Sequence, residues 1–300
     1  MTILNFNCSI WLWVFLFMYI DSKIMTLKLD FQKIDEIFAY GYPLENGYTN
    51  IKKHKVVFFA GLTGSGASST AQLLCNEHQQ FKLLPSRSYF MDKIVIPWVQ
   101  SNKKLPVVPV TNRKIRYEYG KFFRKYYPEG IVQILDQLST NKNVDNSEYL
   151  IFDSVKHVRE LMKINKYFPS AYYVLFRTHN LDRVIRLTNQ DYSRRDIGDS
   201  VNYSDIYKTP GWRGVLSEID MKKLEELVNN GEIQLEAINK ALQIVIKEHQ
   251  DYDNDLLAMK LFNIAHDRTL LVDSSAFDPH QRAELIFNWI KLVDKPNGQD

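Results

Sequence analysis

The chain has 300 residues, 45% of them hydrophobic and 24% charged, enough apolar material for a sizeable core and too much for a disordered polymer. Its net charge of +3 is too small to imply a nucleic-acid partner. Its two cysteines, Cys8 and Cys75, exclude a disulfide framework and a cysteine-rich zinc site, and fit a reducing, cytoplasmic compartment.

Residues 8–20, CSIWLWVFLFMYI, form an uncharged apolar run. It is shorter than the roughly 20 residues of a comfortable membrane span. No basic residue precedes it and no small-residue cleavage site follows it, so it is a poor secretory signal. We expect the natural start at Met25, with residues 1–24 a hydrophobic leader. The competing reading is a membrane anchor over residues 8–20. Leu27, Leu29, Phe31, Ile34, Ile37 and Phe38 recur at helical spacing, which predicts a short amphipathic helix. Gly41 to Asn50 reads as a loop, so residues 25–54 form a helix and loop ahead of the core.

Val56-Val57-Phe58-Phe59-Ala60 is an apolar, β-prone run of the kind that forms a strand buried on both faces of a parallel sheet. Gly61-Leu62-Thr63-Gly64-Ser65-Gly66-Ala67-Ser68 follows, and then the helix-like Ser69-Thr70-Ala71-Gln72-Leu73-Leu74. Strand, glycine-rich turn and helix in this order are the context of a phosphate-binding loop. Glycines let the backbone curl until successive N–H groups face a phosphate, and the helix start near Gly66 adds its unpaired N–H groups and dipole. Gly61, Gly66 and Ser68 keep the spacing of the Walker A pattern G-x-x-x-x-G-K-[ST], with Ser68 where the Mg²⁺-ligating hydroxyl stands. The lysine of that pattern is replaced by Ala67. Its loss leaves phosphate binding intact but removes a charge aimed at the transition state, worth roughly 3 kcal/mol by analogy with one preorganised donor.

Phe81 to Leu84 is a second strand and Tyr89 to Val99 a helix; Leu105 to Val110, broken by two prolines, is a connection. Thr111 to Leu138 reads as two helices broken at Pro128-Glu129-Gly130, and its Arg113, Arg116, Lys121, Arg124 and Lys125 make it the most basic stretch. For any single one of these, a solvated helix face is the ordinary explanation. Tyr149 to Asp153 is a third strand with a carboxylate at its carboxyl end, where ligands of open α/β sheets bind. Asp153 there can hold a metal-bound water or an acceptor, against the commoner role of such an Asp as a helix cap. Ala171 to Phe176 is a fourth strand. It is followed by a helix bearing Arg183 and Arg186, and then by Arg194 and Arg195. These arginines suit a lid that closes on phosphates or, equally, a surface ion-pair network with Asp182, Asp191 and Asp196. From Ile197 to Asp255 the strand signal gives way to amphipathic helices over Met221–Val228 and Ile233–His249. Thr269 to Asp273 is a fifth strand and Pro279 to Leu292 a closing helix. The histidines show no metal-binding spacing, and there is no G-x-S-x-G elbow.

In this order the pieces resemble the P-loop nucleoside-monophosphate-kinase-like group, especially dephospho-CoA kinase and its archaeal and phage relatives. The phosphate loop matches apart from Ala67. Residues 116–130, RYEYGKFFRKYYPEG, look like that group's G-x-x-L-R-x-x-x-G helix pair. Residues 151–156, IFDSVK, look like its I-D-G-I-R strand end, with Ser for Gly and Lys156 for Arg, and residues 181–187, LDRVIRL, resemble its lid helix. The chain is also similar to the amino-terminal P-loop domain of deoxycytidylate-deaminase-type antiphage proteins, without the deaminase half. That likeness implies a nucleotide-sensing or regulatory module.

The expected architecture is a three-layer α/β P-loop fold with a parallel sheet of about five strands. Its core covers residues 55–196, a helical insertion or lid residues 197–265, and the last strand and helix residues 266–294. The resemblance implies a phosphotransferase using ATP or another NTP with Mg²⁺ and a small phosphorylated acceptor. Gly61, Thr63, Gly64, Ser65, Gly66, Ala67, Ser68 and Ser69 would cradle the donor, with Ser68 and Asp153 at the metal. Asp153 and Arg124 would position the acceptor, and Arg183, Arg186 and Arg194 would clamp the transferred group. With Ala67 in the loop, one of these arginines or a lysine from elsewhere has to supply the missing charge. The alternative is a catalytically degenerate nucleotide sensor.

Overall fold

The computed structural model describes residues 26–189 and 203–294; the leader and Arg194 lie outside them. The central strand β4 (Lys55–Ala60) is buried at every residue after its first, because it is flanked by strands on both sides and covered on both faces. Its alternation decides the two cores: Val56, Phe58 and Ala60 enter one, Val57 and Phe59 the other. Four further strands complete a parallel sheet: β5 (Phe81–Leu83), β7 (Tyr149–Val155), β8 (Tyr172–Arg177) and β9 (Thr269–Asp273). They are ordered β5-β7-β4-β8-β9. All five stand where apolar runs predict them, and with helices on both faces the sheet is the expected three-layer α/β fold. The chain reverses its direction of travel at β4, so a crevice opens at that strand's carboxyl end between β7 and β8.

On one face, α1 (Ala67–Glu77) and the closing helix α11 (Pro279–Val293) meet Val57, Phe59, Val174 and Phe176. On the other, Phe58 stacks or tilts against Phe152, Phe168 and Tyr173 at centroid distances of 5.4 to 6.2 Å. This larger core is closed by α2 (Arg87–Phe90), a π-helical turn at Met91–Val95, and α3 (Ile96–Asn102). Helices α4 (Arg113–Tyr126), α5 (Ile131–Leu135) and α6 (Val158–Tyr167) complete it. A third core joins α7 (Asn180–Thr188) to α8 (Glu218–Asn229) and α9 (Leu235–Asp251) through Val184, Leu187, Leu224, Leu242 and Val245. Helix α10 (Asn254–Ala265) returns the chain to the first core. No helix among the described residues is long and apolar enough to cross a membrane.

Three expectations are corrected, one of them the loop expected over residues 41–50, which ends in the strand Tyr48–Asn50. Residues 27–38 form no helix: β1 (Gln32–Lys33) and β2 (Phe38–Tyr40) join β6 (Leu138–Asn141) and β3 (Tyr48–Asn50) in an antiparallel sheet ordered β1-β2-β6-β3. Asp35 accepts hydrogen bonds from the N–H groups of Ile37 and Phe38 and turns the hairpin. The backbone N–H groups of Leu27 and Leu29 go to the side chains of Gln133 and Gln137, so the segment satisfies its polar groups across the fold rather than along a helix. The second helix of the basic stretch also stops at Leu135, and residues 138–141 become a strand between β2 and β3.

Phe58 is the hub of the larger core. Phe58→Ala is expected to destabilise the protein by about 3–5 kcal/mol, read as a lower midpoint in urea unfolding.

Candidate functional site

The turn from β4 to α1 is closed by the Ser65 N–H donating to the Leu62 carbonyl at 3.0 Å. Gly64 and Gly66 have φ of +82° and +86°, the left-handed region that favours glycine. A Cβ on Gly64 would stand 3.0 Å from the Arg183 carbonyl oxygen, and one on Gly66 3.0 Å from Arg282 Nη2. Gly66 caps α1, and Ser69 Oγ donates to the Gly66 carbonyl at 2.9 Å. Ala67 is buried in the core beneath α1, whereas Ser68 is exposed on the first turn.

Three arginines hold this loop. Arg183, 2% exposed, donates from Nε to the Thr63 carbonyl at 2.9 Å. Arg186 reaches the Gly64 and Ser65 carbonyls in longer contacts of 3.4 and 3.5 Å and also donates to the Ser274 carbonyl. Successive carbonyls of residues 63–65 thus turn toward these guanidinium groups, while the N–H groups of Gly61, Thr63 and Ser65 go to Val155, Glu248 and Leu62. Arg282 lies beneath Gly66. It donates to the Thr70 hydroxyl at 3.0 Å and to the carbonyls of Ser274 and Phe277 at 3.1 and 3.0 Å. Burial and the neighbouring Arg186 push its pKa below the usual guanidinium value.

Two further side chains complete the loop's electrostatics. Val155 pairs with Ala60 in the β4–β7 register and its carbonyl accepts from the Gly61 N–H, so Lys156, the next residue, stands level with the loop. Its ammonium donates to Thr63 Oγ1 and to Glu248 Oε1, both at 2.8 Å. Glu248, from the last turn of α9 and 3% exposed, takes the Thr63 N–H at 2.9 Å and the Thr63 hydroxyl. Its second oxygen is also paired with Arg183 Nη2 at 2.6 Å. Burial opposes the charge of Glu248, but Lys156 and Arg183 outweigh it and hold the carboxyl down at about 2. Lys156, Arg183, Arg186 and Arg282 outnumber Glu248 around the loop, while Asp251, Asp253, Asp255 and Asp273 line the neighbouring cleft.

A second group lies beyond Lys156. Arg87 at the start of α2 pairs with the buried Glu160 through two hydrogen bonds of 2.9 and 2.6 Å. Burial opposes both charges, yet each partner stabilises the other: Arg87 is raised and Glu160 lowered. His157 is pushed down by burial and by Arg124, Arg87 and Lys156 around it. Arg124 packs its side chain over Gly130 and Gly120. Asp153, on β7, lies within electrostatic range of Arg87. Beside the loop, a cleft of about 950 Å³ opens at the carboxyl ends of β8 and β9, lined among others by Leu62, Ser65, Thr178, Asn180, Tyr252 and Asp273. Its size is that of a nucleotide-sized ligand.

The structure therefore gathers Gly61, Thr63, Gly64, Ser65, Gly66, Ala67, Ser68 and Ser69 with Arg183 and Arg186. Asp153 and Arg124 stand with the Arg87–Glu160 pair. Arg183 is not an exposed lid arginine: its three donor groups go to Thr63, Asn180 and Glu248, because α9 packs on α7 and seals it. Glu248, Arg282 and Arg87 escaped the sequence reading, and Lys156 entered it only as a loose motif match. The signal for Glu248 was a carboxylate continuing the buried stripe Leu242, Val245 on α9. Arg282 likewise heads the stripe of Ile286 and Ile290 on α11. Among the described residues no three His, Cys, Asp or Glu side chains gather to hold a metal.

No family model matches the chain, and no curated protein matches it. Two solved structures of deoxyadenosine kinase from M. mycoides are similar to it. The one with bound dATP is 9% identical, covering 79% of this chain and 99% of that chain with a TM-score of 0.33. The one with products dCMP and a flexible dCDP bound is 15% identical, covering 80% and 100% with a TM-score of 0.30. At these TM-scores the likeness carries no argument; the fold rests on the sheet order and the loop.

Because the folded carboxyl of Glu248 titrates at about 2, below its usual 4.5, its contribution to stability is complete above about pH 4.5 and lost as pH falls toward 2. Glu248→Gln removes the charge that neutralises buried Arg183 and half-buried Lys156 and is expected to cost about 3 kcal/mol at pH 7. Urea unfolding at a series of pH values should show this difference shrinking between pH 4.5 and 2.

Proposed function

We propose that this protein is a nucleotide-binding P-loop phosphotransferase of the nucleoside-monophosphate or dephospho-CoA kinase type, acting on ATP or another NTP with Mg²⁺ and a small phosphorylated acceptor. The observation that carries this reading is Lys156. The charge that Ala67 removes from the loop is returned by an ammonium 2.8 Å from Thr63 Oγ1, on the neighbouring strand. The amides of Gly64 and of residues 66–68 would cradle the donor phosphates, with Arg282 beneath them adding positive potential. The cleft beside Leu62 and Ser65 would take the nucleoside. Asp153 and Arg124, with Arg87 held by Glu160, would bind and orient the acceptor from the β7 side. Ser68 and Asp153 would hold Mg²⁺, which would supply charge neutralisation for the transferred group. The protein's own contribution is positioning and fixed positive charge.

Ala67 favours a second reading, a sensor that holds a nucleotide without turning it over. The two part on the wild-type protein incubated with NTP, Mg²⁺ and a panel of nucleoside monophosphates and dephospho-CoA. A phosphotransferase forms a phosphorylated acceptor; a sensor shows a nucleotide-dependent rise in melting temperature and no product. In the phosphotransferase, Lys156→Ala is expected to lower kcat by about 10²–10³-fold, the loss of one preorganised charge, while Arg116→Ala, paired with Asp92 at the surface, leaves it nearly unchanged. Equal loss from both variants would remove Lys156 from the site.

A further inference from the structure

A loop built for an anion already holds one. The Thr63 N–H and hydroxyl, the Lys156 ammonium and Arg183 Nη2 all meet the carboxylate of Glu248. A backbone amide, a hydroxyl, a lysine and an arginine converging on two oxygens is the donor set that binds a terminal phosphoryl group. Glu248 and Arg183 are buried, 3% and 2% exposed, while the Lys156 side chain stays 24% exposed at the edge of the set. No donor in this set comes from the amides at the start of α1. The loop thus divides into a helix-proximal half and a Thr63 half, and the second half is taken.

Resting on the phosphate-loop reading above, we propose that Glu248 is an internal occupant of the terminal-phosphate position and sets which ligands the loop accepts. With Glu248 in place, the loop takes a diphosphate group, bound through the start of α1. A triphosphate group binds only by displacing the carboxylate, because its third phosphate would bring further negative charge against Glu248 among donors that are already saturated. Displacement frees Lys156 and Arg183 for the ligand in the same movement. It also reaches the nucleoside side, since residues 249–255, which directly follow Glu248, line the cleft. The last turn of α9 therefore couples the length of the phosphate chain to the shape of the cleft.

The test uses the full chain and base-independent probes, inorganic pyrophosphate and tripolyphosphate, each with Mg²⁺, titrated by calorimetry. The wild type is expected to bind pyrophosphate at least tenfold more tightly than tripolyphosphate, and Glu248→Gln to narrow that ratio tenfold or reverse it. In the wild type, tripolyphosphate at high concentration should increase amide hydrogen exchange over residues 244–251, and pyrophosphate should not. This second measurement decides the matter if the variant fails to fold. An unchanged ratio in Glu248→Gln, or α9 exchange unaffected by bound tripolyphosphate, overturns the proposal. A parallel loss of both affinities also overturns it, showing that Glu248 only orients Lys156 and Arg183. If neither probe binds either protein, the phosphate-loop reading itself is what fails.

Discussion

The arrangement of this protein's candidate site depends on one buried carboxylate. Glu248 ties three separate parts of the chain together: the loop after β4 through Thr63, the end of β7 through Lys156, and α7 through Arg183. Burying such a network is costly unless every donor and acceptor is satisfied, and here each oxygen receives more than one donor. Thr63 shows how tightly the parts are linked: its hydroxyl accepts from Lys156 while donating to Glu248. Loss of any one group weakens the ties of the others, so the third core of α7, α8 and α9 is joined to the sheet by electrostatics as well as by packing.

The sheet supplies the frame that makes this convergence possible. Lys55–Ala60 sends alternate side chains into two cores, and both neighbours of β4 run parallel to it, so three carboxyl ends arrive at one edge. The register then places side chains without further adjustment. Pairing of Ala60 with Val155 brings Lys156 beside the loop, and pairing of Ala60 with Leu175 brings Arg177 and Thr178 to the mouth of the cleft. At the opposite edge, Asp294 accepts from Tyr149 and Tyr172 and pairs with Lys55, fastening the starts of three adjacent strands where no ligand chemistry is expected.

The five parallel strands are legible because strands buried on both faces leave unbroken apolar runs, and the tight turn from β4 to α1 because its glycines sit between a strand and a helix. The antiparallel sheet was not. Leu138-Ser139-Thr140-Asn141 has no apolar run, and its pairing is set by partners about a hundred residues away. The spacing of Leu27 to Phe38 imitates a helix because apolar residues on an irregular extended segment can fall three and four apart by chance. The site residues that escaped are charged groups inside apolar stripes. A sequence reading assigns charge to the surface by default, so it offers Arg183 as a lid arginine or a member of a surface ion-pair network, whereas α9 covers it.

The position of the returned lysine has a consequence of its own. A lysine at residue 67 would be carried by the loop and committed to the ligand whatever the rest of the chain did. Ala67 instead fills a place in the core beneath α1. The compensating charge, Lys156, comes from a different strand and is shared with Glu248. Its availability to a ligand therefore depends on where α9 stands, and α9 is held by α7 and the third core rather than by the sheet. Under the proposed function, moving the cation off the loop would turn a fixed component of phosphate binding into one that another part of the fold can grant or withhold.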